Sequence, residues 1–139
     1  MTTDIRWQDR EIPTPDRSDE TLPFWEGVER GELWLRRCTV CHQAHHYPRS
    51  ICPFCFHPET RWEQASGRGM LYSYSAVTRA VAPYVIAYVT LEEGPTMMTN
   101  LIDCNPDMLS VGQAVILAPS PSEGGPPVPM FRPAVKGIA

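Results

Sequence analysis

The chain has 139 residues, 42% of them hydrophobic and 20% charged, with a formal net charge of −4 and a pI near 5.5. That balance fits a folded protein rather than a disordered one. The acidic charge and the scatter of the basic residues disfavour a binder that tracks nucleic-acid phosphates, and no stretch nears the roughly 18–20 apolar residues that span a bilayer.

The opening Met-Thr-Thr-Asp-Ile-Arg lacks an apolar signal region, so the expected location is cytoplasmic. Thiols stay reduced there, and the five cysteines argue for metal ligation rather than for disulfides. Residues 1 to about 17 are polar and proline-bearing, and read as a tail that orders only against a partner. Thr21 to Gly31 reads as a short helix, with Thr21 as cap, Pro23 in the first turn and Gly31 as stop. Phe24, Trp25 and Val28 share one face of it, a large apolar surface that must bury against something. Leu33 to Arg37 alternates into a strand that delivers Cys38.

Beyond Gly67-Arg68-Gly69 the chain becomes β-rich. Strands are predicted over Met70–Ala80, Tyr84–Leu91 and Thr96–Ile102, with turns at Ala82-Pro83 and Glu93-Gly94-Pro95. Asn105-Pro106-Asp107 reads as a helical turn capped by Asn105. Strands over Gln113–Ala118 and Met130–Arg132 follow. Five short strands with a helical turn between the third and fourth suggest a small barrel, with an OB-fold the leading candidate and a small β-sandwich the alternative on pattern. The expected organisation is an arm over 1–19, helix plus ribbon over 20–66, and barrel with C-terminal tail over 67–139.

Cys38-x2-Cys41 and Cys52-x2-Cys55 are separated by ten residues, long enough for a returning hairpin. Two residues between paired cysteines let both sulfurs of one tight turn face a common centre. Two such turns complete a tetrahedral thiolate site, for which zinc is the usual metal, although iron takes the same ligand set. Four thiolates close the coordination shell, so the ion is assigned to folding and not to chemistry. His42, His45 and His46 lie in the hairpin and are read as solvent-facing or as donors behind the thiolates. Cys104 stands apart and reads as an ordinary thiol.

No nucleophile, base and orienting group come together in sequence. All four histidines, His57 included, crowd the ribbon. Glu92-Glu93 reads as a solvated turn, and Gly67-Arg68-Gly69 lacks the flanking pattern of a phosphate loop. Tyr72 and Tyr74 lie two apart, on one strand face, and suit a barrel interior or an interface better than a base-stacking platform.

The order of motifs from Phe24 onward resembles the family catalogued as domain of unknown function 35, which pairs a rubredoxin-like zinc ribbon with an OB-fold. The matching elements are Phe24-Trp25-Glu26-Gly27, the four cysteines with Pro48-Arg49 before Cys52, and Trp62-Glu63 leading to Ser66-Gly67-Arg68-Gly69. They continue through Pro83–Ala87, Val89–Gly94, Thr99–Ile102, Val111–Val115 and Phe131-Arg132-Pro133. The family usually carries glycine after the second cysteine of each pair, where this chain has His42 and Phe56. That departure predicts distorted knuckles and less tightly held metal.

The resemblance implies an accessory subunit of an acyl-CoA or acyl-transfer enzyme, with catalysis in a thiolase-like or hot-dog-fold hydratase partner; a stand-alone acyl-CoA-binding module and an OB-fold binder of single-stranded nucleic acid are the alternatives. On that basis Phe24, Trp25, Val28 and Trp34 are expected to dock the partner, because large apolar residues on a short element need cover. The barrel is expected to help shape a CoA or acyl channel, with Arg79, Tyr84, Phe131 and Arg132 as its candidate residues. Arg79 also reads as a solvated turn residue. Zn2+ is the only cofactor expected, and neither nucleic acid nor membrane is an expected partner.

Overall fold

A computed structural model describes residue 5 and residues 11–79 and 82–134. Among the described residues one α-helix, α1 (Leu22–Glu29), precedes β1 (Trp34–Cys38), β2 (Ala44–His45) and β3 (Thr60–Gln64), which form a three-stranded sheet in the order β2-β1-β3. The strands β4 (Arg68–Val77), β5 (Tyr84–Leu91), β6 (Thr96–Leu101), β7 (Ala114–Leu117) and β8 (Phe131–Pro133) close a barrel in the order β4-β5-β6-β8-β7. A 3-10 turn, Pro106–Met108, sits between β6 and β7, with the Asn105 side chain accepting from the Asp107 amide. Closure removes exposed sheet edges and settles the choice between barrel and sandwich.

The ends of α1 follow from its sequence in one case and not the other. Gly31, at φ 82°, supplies the left-handed residue that stops the helix. The Gly31 amide bonds the Val28 carbonyl, and Glu32 reaches back to Gly27, the paired pattern of a Schellman close. Thr21 makes no side-chain cap. Its hydroxyl is spent on Ser18, accepting from that residue's amide and donating to its carbonyl.

Period-two burial along β5 and β6 sends Val85, Ala87, Val89, Met97 and Leu101 into the barrel. Phe131 from β8 fills the same core with no exposure. In β4 the register against β5 shifts between Leu71 and Ser73. This irregularity separates the two tyrosines expected on one face. Tyr72 points to solvent, while Tyr74 is half-buried and donates its hydroxyl to the Leu109 carbonyl.

The N-terminal segment does not wait for a partner where the structure describes it. Ile5 pairs with Cys104 across the barrel end, and Ile12 is buried against Ile102 and Met130. Thr14 donates to the Glu123 carbonyl, which ties the segment to the proline-glycine loop. Cys104 is buried beneath it. No helix among the described residues is long and apolar enough to cross a membrane.

Candidate metal centre and the adjoining groove

The two Cys-x2-Cys turns fold as near copies. In the first, the His42 amide donates to the Cys38 carbonyl at 3.1 Å and the Cys38 amide to Gln43 at 3.0 Å. In the second, Phe56 donates to Cys52 at 2.9 Å and Cys52 to His57 at 3.0 Å. Amides of Val40 and Cys41 point at Cys38 Sγ, and that of Phe54 at Cys52 Sγ. Although burial opposes ionisation, these amide donors hold the Cys38 thiol down to about 6 and lower Cys52 as well.

All four sulfurs lie within 4.8 Å of one another. Cys38 Sγ and Cys55 Sγ are 3.5 Å apart, and Cys41 Sγ and Cys52 Sγ 3.6 Å. A tetrahedral ion with bonds of about 2.3 Å holds its sulfurs about 3.8 Å apart, so the cluster has the dimensions of a zinc site. The four cysteines are therefore positioned to bind a metal ion, with the closed shell of a structural site. The departure from glycine does not open the cluster. His42 and Phe56 instead take the left-handed conformation themselves, at φ 63° and 65°.

The histidines serve the hairpin and not the metal. His45 is buried, and its Nε2 accepts from the Arg49 amide at 3.1 Å. His57 Nδ1 accepts from the Glu59 amide, and His42 is exposed. His46 packs between rings, 5.5 Å from both Phe24 and Tyr47. Burial, reinforced by the neighbouring His45, pushes its pKa down to about 4, so the imidazole is neutral at pH 7.

Of the four residues expected to dock a partner, three are covered by this chain itself and Trp34 is half-buried. Phe24, Trp25 and Val28 belong to the core, because α1 lies against the ribbon and not outside it. The Trp25 indole donates to Tyr47 Oη at 3.0 Å, and Ser50 donates to Glu20, joining helix and hairpin at two points. Trp34 lies flush on Gly27, where an added methyl would overlap its ring, and donates its indole N–H to Glu32. The need for cover was legible in the sequence; that β1 and the hairpin supply it was not. The exposed apolar residues lie elsewhere. Val40, Ile51, Phe54 and Phe56 crown the metal knuckles, and Met70, Tyr72, Tyr88 and Met98 form a stripe on the outer barrel face.

A groove of about 360 Å³ runs between α1 with its hairpin and the barrel. Phe24, Trp25, His46 and Tyr47 form one wall; Tyr84, Ile86 and Met98 form the other, and Val128 to Met130 close one end. Of the candidate channel residues, Tyr84 lines this groove. Phe131 is sealed in the barrel core, Arg132 is half-buried on β8 opposite Ile116, and Arg79 is exposed beyond the end of β4. The structure thus does not bring these four together. His46, Tyr47 and Met98 were missed as lining residues because nothing in their local pattern marks a cavity made by elements distant in sequence.

Comparison with known proteins places this architecture. Residues 25–61 match the family described as ChsH2, rubredoxin-like zinc ribbon domain, and residues 62–118 match ChsH2, C-terminal OB-fold domain. A DUF35 domain-containing scaffold protein of Methanothermobacter thermautotrophicus is 34% identical over 104 residues, covering 69% of this chain and 78% of that protein. A probable enoyl-CoA hydratase alpha subunit of Thermomonospora curvata is 31% identical over 128 residues. The match takes in 88% of this chain but spans only 40% of that relative's length. A solved chain described as Ltp2-ChsH2(DUF35) aldolase superposes with a TM-score of 0.77 at 31% identity, over 87% of this chain and 99% of that one.

Proposed function

Since the chain belongs to the DUF35 family of zinc-ribbon and OB-fold proteins, we propose that it is a non-catalytic accessory subunit of an acyl-CoA enzyme. The observation that carries this reading is the fit to the solved aldolase component, which this chain matches over almost its whole length. A scaffold protein and a hydratase alpha subunit among the relatives support the same class of role. The partner is proposed to be a thiolase-like chain performing carbon–carbon bond chemistry on a CoA thioester, with a hot-dog-fold hydratase as the second candidate.

The residues present support a division of labour. Among the described residues the neutral His46 and the buried His45 each lack a nucleophile within hydrogen-bond reach. The thiolates of Cys38, Cys41, Cys52 and Cys55 are committed to the metal. A zinc ion held there supplies folding energy and leaves no open position for substrate.

Docking is assigned to the knuckle crown in place of the buried helix face. Phe54 and Phe56 are 53% and 76% exposed and stand with Val40 and Ile51 on a rigid platform fixed by the metal. Co-expression with candidate thiolase-like and hydratase chains of the same organism tests the reading. A stable complex is expected, and Phe54→Asp with Phe56→Asp is expected to abolish it without loss of metal.

A further inference from the structure

The groove has a chemistry of its own, distinct from the docking crown and the metal. Its walls carry aromatic rings and methionines, and none of the described residues lining it is Asp, Glu, Lys or Arg. Burying a phosphate or a carboxylate there leaves an uncompensated charge in an apolar setting, which is strongly unfavourable. The volume, about 360 Å³, lies at the small end of the range for ligand sites.

Among the residues lining the groove, one buried side-chain polar atom lacks a partner. His46 Nδ1 is buried without a hydrogen-bond partner. Nε2 is not among the buried atoms that lack a partner, so it is the ring nitrogen left to face the groove that His46 lines. In a neutral imidazole one nitrogen bears the proton, and an orphaned buried N–H is rarer than an orphaned acceptor. The proton therefore belongs on Nε2, where it faces the groove as a donor.

We propose that this groove binds a neutral, largely apolar molecule through one oxygen acceptor, a ketone or hydroxyl, placed on His46 Nε2–H. If the chain serves an acyl-CoA enzyme as proposed above, the seated part is the acyl end of the substrate and not its nucleotide end. Because every wall comes from this chain, the site binds with or without a catalytic partner. Failure of partner docking therefore leaves the proposal standing, and the reverse also holds.

The test uses two dyes that differ by one sulfonate, with the full metal-loaded chain. Neutral N-phenyl-1-naphthylamine is expected to bind saturably with a rise in emission, and the anionic 8-anilino-1-naphthalenesulfonate at least tenfold more weakly. Met98→Glu changes a solvent-facing wall residue, 61% exposed, and so leaves the fold intact while introducing charge. It is expected to weaken the neutral dye at least tenfold. His46→Phe keeps the aromatic wall. It is expected to leave that dye unchanged but to weaken the ketone 6-propionyl-2-(dimethylamino)naphthalene by about three- to tenfold, the worth of one hydrogen bond. Equal binding of the two dyes, or no effect of Met98→Glu, overturns the proposal. So does the absence of neutral-dye binding, and if Met98→Glu then breaks a partner complex, the groove is part of the docking surface instead.

Discussion

His42 and Phe56 hold the same place in the two metal knuckles, each following the second cysteine of its pair. Each sits in the left-handed region, and each amide donates to the carbonyl of the first cysteine. A side chain with a Cβ pays about 1 kcal/mol in this conformation, whereas glycine does not. His42→Gly and Phe56→Gly are therefore expected to stabilise the folded, metal-loaded chain by about 1 kcal/mol each. Urea unfolding midpoints check this, and chelator competition should show slower metal loss. The phenyl of Phe56 is the larger loss in another respect, since it is the most exposed member of the crown.

The metal centre makes a second prediction. The purified chain is expected to hold one metal ion on Cys38, Cys41, Cys52 and Cys55, and elemental analysis distinguishes zinc from iron. Cys52→Ser, or a strong chelator, is expected to unravel the β2-β1-β3 sheet, since two of its connections run through the knuckles. Loss of near-ultraviolet signal from Trp34 and Trp62 reports that event.

Gly27 inverts a familiar rule. Replacing glycine by alanine inside a helix usually stabilises by up to about 1 kcal/mol. Here the added methyl overlaps the Trp34 ring, so Gly27→Ala is expected to destabilise by about 1–3 kcal/mol. Trp34→Leu, itself destabilising, should remove that penalty, and a double-mutant cycle by thermal unfolding measures the coupling.

Acid sensitivity follows from His46. Its folded pKa, about 4, lies below the ordinary histidine value of 6.5. Between those values the unfolded chain takes up a proton that the folded chain refuses, so stability is full above pH 6.5 and falls as pH drops toward 4. The loss is at most roughly 3 kcal/mol. His46→Phe is expected to flatten this part of the profile, read as the difference between urea midpoints at pH 7.5 and 5.

Much of this architecture is legible in the residues. The cysteine spacing predicts the metal cluster, and alternation over Tyr84–Leu91 predicts β5 to the residue. The strand Thr60–Gln64 is invisible by comparison, since it is short, polar and held mainly by pairing with β1 across more than twenty residues of sequence. The register shift after Leu71 is equally silent, because it is set against the neighbouring strand. The groove belongs to the same class: Trp25 and Met98 become neighbours only when the ribbon packs on the barrel. Burial of Phe24 and Val28 shows the limit of reasoning from a single element, where an apolar face announces a partner without saying that the partner is the same chain.

The accessory-subunit reading is tested most directly by reconstitution. The chain and its thiolase-like candidate partner are assayed for acyl-CoA turnover separately and together, alongside light scattering to establish the complex. No turnover is expected from this chain alone, turnover by the mixed complex is expected well above that of the partner alone, and both complex and activity are expected to be lost with the Phe54→Asp, Phe56→Asp variant. Turnover by this chain alone, or a partner equally active without it, contradicts the account.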